Sequence, residues 1–210
     1  MNYKQTLDNT AESLQTIIEY VGTSNILPTE NYGWQNVRFT SDFFRYAHIE
    51  RYSDKNLEVL HFTCFPNEWC SDPIFGFDII TTDKKCLAAF MDMSPVDNKK
   101  TFSISTQFTT PYKLPDWAKL IFSENVLAVV PTDDEFEMIC DMVQHIFTEY
   151  LNDLASCKEK SLRVEYIKAA QNRYCDNQQK NERTYNVLKA KLGADKAKYF
   201  MENILFPKIK

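Results

Sequence analysis

The sequence predicts an α+β fold, a three-layer α/β/α sandwich with a central, mostly antiparallel sheet flanked by helices on both faces. Seven strand-like stretches follow one another between Trp34 and Val130, and the short turns joining neighbours make the sheet antiparallel. Residues 57–65 and 74–80 are apolar on both faces, so the sheet must be covered on both sides. Helical periodicity at the two ends of the chain supplies the covering layers.

In chain order, residues 4–21 read as an amphipathic helix. Strands are expected at 34–40, 43–52, 56–65, 74–82, 85–92, 101–109 and 125–130, with a short helix near 115–122. Thr132 precedes Asp133-Asp134-Glu135, a good N-cap followed by acidic residues that suit a helix N-terminus. Helices are expected from there at 132–155, 161–180, 182–192 and 195–204, and Gly193 separates the last two at a C-cap position. No repeat and no linker divides the chain, and its 210 residues read as one domain, 1–210, large enough for a real core.

Composition narrows the function. The chain is 44% hydrophobic and 14% aromatic, which marks a globular protein. Its four glycines (Gly22, Gly33, Gly76 and Gly193) cannot form a dinucleotide fingerprint or a phosphate-cradling loop. The six cysteines form no C-x-x-C pair and no histidine stands at a metal-ligand spacing, so no metal site is expected. The polar N-terminus and the absence of a long apolar run predict free thiols in a cytoplasmic protein without a membrane span.

Charge is unevenly distributed. Residues 158–210 carry 13 Lys/Arg against 6 Asp/Glu, whereas residues 1–157 carry 11 against 23. A basic C-terminal surface on an acidic protein suits an acidic partner or an anionic ligand. Nucleic acid is a poor partner, because the remainder of the chain would repel phosphate.

The segment from Ala47 to Pro95 concentrates the chemistry. It holds His48 and His61, two of the three histidines, with Glu50 and Asp78, all on otherwise apolar strands. Buried groups of this kind must be paired or must handle protons. A hairpin turning at Asp54-Lys55 would set His48 opposite His61, and a second centred on Trp69-Cys70 would set His61 opposite Asp78. Period-two alternation puts His48 and Glu50 on one face, so two imidazoles and two carboxylates converge. The third histidine, His145, lies in an apolar helical run and reads as structural.

These residues resemble a ferredoxin-dependent bilin reductase. The stretch Leu57–Pro66 followed by Asp72-Pro73-Ile74-Phe75-Gly76-Phe77-Asp78 is similar to the family's central signature. Trp117 and Phe122-Ser123-Glu124 are similar to its middle segment, and Tyr174-Cys175, Gln178–Thr184, Gly193 and Leu205-Phe206 to its C-terminal one. The resemblance implies reduction of a linear tetrapyrrole, chiefly biliverdin IXα, held between the sheet and the C-terminal helices. Electrons come from an external [2Fe–2S] ferredoxin, with no cofactor bound in the chain itself. It also implies ferredoxin docking on the basic C-terminal surface and heme oxygenase as an upstream donor of biliverdin; the chain is expected to be a monomer.

Within the family, the phycocyanobilin-forming branch carries a His-x-Glu and a strand His seventeen residues before the Asp of Phe-Gly-x-Asp, a pattern matched by His48-Ile49-Glu50, His61 and Asp78. The implied roles are Asp78 as central acid, His61 as its proton-sharing partner, His48 as a relay behind it, and Glu50 as donor to the vinyl group. A phycoerythrobilin-forming or dihydrobiliverdin-forming relative is the alternative, and a non-catalytic bilin carrier or lyase the alternative from another class. Three positions depart from the pattern. Glu182 stands where an Asp is usual beside Asn181, the loop between Glu50 and His61 is one residue short, and Val130 replaces an Arg. The resemblance therefore moves propionate binding towards Arg183, keeps Asn181 as a substrate-binding residue and leaves Glu182 as a candidate donor.

Overall fold

The computed structural model describes residues 1–21, 24–97, 108–157 and 161–210. Its centre is a seven-stranded sheet whose spatial order follows the chain, each strand antiparallel to the next. The strands are β1 (Asn25–Leu27), β2 (Gln35–Thr40), β3 (Phe44–Ser53), β4 (Glu58–Pro66), β5 (Ile74–Thr81), β6 (Cys86–Ser94) and β7 (Leu127–Val129). Short β1 is an addition to the expected set, and the strand expected at 101–109 lies largely outside the described residues.

The helices divide between the two faces. Helices α1 (Tyr3–Tyr20) and α2 (Asp133–Ser156) share a core with Phe62, Phe75, Phe77 and Met91. In it the Phe62 and Phe147 rings lie 4.5 Å apart, edge to face. On the opposite face α3 (Val164–Gln178), α4 (Glu182–Leu192) and α5 (Ala194–Phe200) pack over Tyr46, Phe65 and Ile74. The expected sandwich is therefore observed. The helix expected at 195–204 is split into α5 and a π-helical turn, Met201–Leu205, while a 3-10 turn occupies Asp116–Leu120. Gly193, at φ +82°, turns the chain between α4 and α5 in a conformation that L side chains rarely adopt.

Alternation sorts each central strand by parity. On β4, Leu60, Phe62 and Cys64 pack towards α1 and α2, while Phe65 packs towards the C-terminal helices. His48, Glu50, His61 and Asp78 share the parity of the second set, so they face the C-terminal helices.

One expected register is corrected. Glu50, not His48, stands opposite His61, and His48 stands opposite Thr63. The cause is local. Asp54 Oδ1 accepts the backbone N–H groups of Asn56 (2.8 Å) and Leu57 (3.0 Å), and Asp54 N–H donates to Leu57 O at 2.9 Å. This Asx turn puts Lys55-Asn56 at the tip and moves Asp54 to the flank. Advancing the tip by one residue shifts the pairing by two, an even slip that changes partners while keeping every side chain on its face. The second expected register holds, with His61 opposite Asp78.

Candidate active site

A cleft with about 870 Å³ of space between and in front of its walls, part of it open solvent, lies between the sheet and the C-terminal helices. Glu50, His61 and Asp78 line its floor, and Asn181, Arg183, Leu188 and Phe206 line its other side. Three adjacent antiparallel strands thus deliver one acid, one imidazole and a second acid, side by side.

His61 and Asp78 form the tightest pair, with Nδ1 2.7 Å from Oδ1. Burial alone would lower the His61 pKa, but the Asp78 and Glu50 carboxylates together outweigh it and raise the value above 6.5. With Nδ1 bonded to Asp78, the ring offers Nε2, which is buried and has no hydrogen-bond partner among the described residues. His61 is nearly buried, whereas the Asp78 side chain is one third exposed to the cleft.

Glu50 is held differently. Trp34 donates its indole N–H to Glu50 Oε1 at 2.7 Å. Burial is the largest influence on this carboxyl and raises its pKa to about 7, while His61 and the Trp34 bond pull the other way. Glu50 can therefore carry a proton near neutrality, and it sits directly across the strand from His61. Trp34 follows Gly33, whose φ of +88° turns the chain into β2. The ring packs edge to face on Tyr52 at 5.3 Å, which helps fix the indole.

His48 lies deeper and does not line the cleft. Its Nε2 is 3.0 Å from Asn36 Oδ1, and burial pushes its pKa well below 6.5, so it is neutral and donates from Nε2. Its ring centroid is 5.9 Å from that of His61, a second layer behind the floor.

The remaining candidates sit at the start of α4. Asn181 is its N-cap, accepting the N–H groups of Arg183 (3.1 Å) and Thr184 (3.3 Å) on its side-chain oxygen. Arg183 reaches both the cleft and a neighbouring groove, its guanidinium 5.1 Å from the Trp117 ring centroid. Glu182 is exposed and lines that neighbouring groove with Trp117, Lys180 and Asn186, so the fold does not bring it onto the cleft with Glu50, His61 and Asp78. The N-cap sets this outcome: residues one and two places beyond Asn181 project in different directions from the first turn. His145 lies on the exposed side of α2, facing Glu149 at 3.6 Å. It is outside the site, though on the surface rather than among the apolar residues around it.

A family model for ferredoxin-dependent bilin reductases matches residues 10–207. The chain belongs to the ferredoxin-dependent bilin reductase family. It is accordingly an oxidoreductase acting on a bilin, with ferredoxin as its external electron donor. Among curated relatives of this reductase, the phycocyanobilin:ferredoxin oxidoreductase of Prochlorococcus marinus is 32% identical over 177 residues, spanning 78% of this chain and 71% of its own length. The enzyme of the same name from Trichodesmium erythraeum is 28% identical over 186 residues, spanning 82% and 75%.

Solved structures give the same picture of the fold. Tomato phytochromobilin synthase in complex with biliverdin superimposes with a TM-score of 0.70 at 17% identity, covering 98% of this reductase and 83% of its own chain. A PcyX protein superimposes with a TM-score of 0.69 at 23% identity, covering 97% and 99%. Among the described residues no helix is long and apolar enough to cross a membrane.

Proposed function

We propose that this reductase converts biliverdin IXα to phycocyanobilin, taking single electrons from ferredoxin and supplying protons from Glu50, His61 and Asp78. The observation that carries the reading is the pairing of a neutral-range carboxyl, Glu50, with the His61–Asp78 ion pair on one wall of an open cleft. The phycocyanobilin-forming relatives support the product assignment.

The overall change adds four electrons and four protons to the bilin. Ferredoxin delivers electrons singly, so each must be matched by protonation at a chosen atom. Asp78, open to the cleft, is the central acid facing the pyrrole nitrogens and the ring lactam. His61 shares its proton with Asp78 through Nδ1 and so couples to the lactam through that acid. Glu50, protonated near pH 7 and next to His61, delivers the proton to the vinyl group. His48, neutral and fixed by Asn36, sets the position of His61 from behind. Arg183, at the mouth of the cleft, pairs with a propionate.

Ferredoxin docks on the basic C-terminal region. Lys189, Lys196 and Lys198 of α4 and α5 are exposed, whereas Lys191 is already paired with Asp54 at 2.9 Å. Lys198 stands 3.9 Å from Glu202 but is well exposed, so with Lys189 and Lys196 it contributes to the steering of an acidic donor.

The experiment is anaerobic turnover: biliverdin is added to the protein, reduced ferredoxin follows, and the products are separated chromatographically. Phycocyanobilin as the end product supports the reading. Phycoerythrobilin or a dihydrobiliverdin as the end product would reassign the Glu50 step. One stable biliverdin spectrum after ferredoxin addition would mark a carrier.

A further inference from the structure

On the α1–α2 side, away from the cleft, three donors converge from distant parts of the chain. Cys70 and Asp72 lie in the connection between β4 and β5, and Cys157 caps the C-terminal end of α2. Cys70 Sγ is 3.1 Å from Asp72 Oδ2 and 3.3 Å from Cys157 Sγ, and one donor atom from each residue lies within 4.8 Å of the others. Cys70 and Asp72 are buried, and Cys157 reaches part-way to solvent.

We propose that Cys70, Asp72 and Cys157 bind a zinc ion, with a water completing the coordination on the Cys157 side. The spacing carries the proposal. Two sulfurs 3.3 Å apart, with a carboxylate oxygen 3.1 Å from one of them, stand close enough for roughly 2.3 Å Zn–S and 2.0–2.2 Å Zn–O bonds to span them. A disulfide would instead require the two sulfurs to close to about 2.05 Å, well over 1 Å nearer than they stand. Two sulfurs and one carboxylate select zinc over magnesium or calcium, which prefer all-oxygen shells. Binding forms two Zn–S bonds and one Zn–O bond and releases the two thiol protons to solvent.

The position gives the ion a mechanical role. Asp72 stands just before β5, the strand carrying Asp78, and Tyr150 of α2 already donates to Pro73 O at 2.8 Å. Ser161 N–H donates to Trp69 O at 2.9 Å, drawing the chain beyond α2 to the same connection. Zinc there would clamp the end of α2 to the root of the strand that holds the central acid. The site is independent of the bilin reading, because it shares no residue with the cleft.

The test uses the full chain, reduced, freed of metal with a chelator and titrated with Co²⁺ as a spectroscopic probe. One equivalent of cobalt should bind with a thiolate-to-metal charge-transfer band, zinc should displace it, and zinc should raise the melting temperature. Cys157→Ala, at the most exposed donor, should fold normally yet lose both the band and the zinc-dependent rise. Asp72→Asn tests the oxygen donor in the same way. Absence of the charge-transfer band in the folded wild-type protein would overturn the proposal. So would an unchanged band in Cys157→Ala, or a native mass two hydrogens light with two thiols missing, the mark of a disulfide.

Discussion

The indole N–H of Trp34 and Oε1 of Glu50 are 2.7 Å apart, so one of the two oxygens on the proposed vinyl donor is fixed from the side. An N–H bond stabilises the ionised carboxylate, whereas burial favours the protonated form. The outcome, a value of about 7, is the balance between them. Glu50 thereby keeps its proton below neutrality and parts with it at little cost.

Trp34→Phe should upset that balance while preserving the ring. Loss of the N–H raises the Glu50 pKa, so the alkaline fall in the Glu50-dependent step should move to higher pH. The freed carboxyl should also slow that step at every pH, and a displacement of about 1 Å can cost on the order of 100-fold. The pH profile of single-turnover rates measures both. An unmoved limb would separate Trp34 from the proton.

Asp78→Asn should retain biliverdin binding and lose about 10²–10⁴-fold in rate, the usual contribution of a positioned acid. It should also change how stability responds to pH. The carboxylates hold His61 above its ordinary value of 6.5, so the pair's stabilisation is complete below that value and is lost as pH rises through the higher folded one. Glu50, raised from 4.5 to about 7, contributes in the same direction. Denaturant titrations at about pH 5.5 and 8.5, above the carboxylate range, should therefore find wild type and Asp78→Asn differing more at the lower pH. An equal gap at both would argue against the charged pair.

The sandwich, the site's face and the His61–Asp78 register were legible because period-two alternation and a symmetric connection determine them without knowledge of packing. The His48–His61 pairing was not, because it depends on which residue Asp54 occupies in a turn, and that is set by side-chain capping. Trp34 reads in sequence as one more apolar aromatic. The available signal was that a half-buried indole seeks an acceptor and that Trp34 shares the parity of Glu50 on the neighbouring strand. Cys70 and Cys157 stand 87 residues apart, so no spacing motif could join them. His145 shows the reverse failure, its apolar neighbours hiding the fact that it points outward.

Reversing charge at Lys189, Lys196 or Lys198 should weaken use of ferredoxin and leave biliverdin affinity intact. The effect should shrink as salt rises, since these groups are exposed and screened. Lys191→Glu should in addition cost stability, because it would face Asp54. Steady-state KM for ferredoxin against ionic strength is the measurement. Turnover indifferent to both would place docking elsewhere.

Glu182 lies on the groove beside the cleft, exposed on the first turn of α4. Glu182→Gln and Glu182→Asp should therefore leave the product profile unchanged. By contrast, Asn181→Ala should destabilise the fold by about 0.5–2 kcal/mol through loss of the cap. A changed product ratio in either Glu182 variant would mean that the groove and the cleft join when the bilin binds.

The most direct test is anaerobic turnover of Glu50→Gln with reduced ferredoxin and chromatographic analysis of the bilins. Glutamine keeps the shape and removes the proton. If Glu50 protonates the vinyl group while His61 and Asp78 serve the remainder of the pigment, the variant should complete one two-electron reduction or redirect it to another ring. It should accumulate a dihydrobiliverdin-type product and make little or no phycocyanobilin. Phycocyanobilin formed by Glu50→Gln at the wild-type rate would contradict the account.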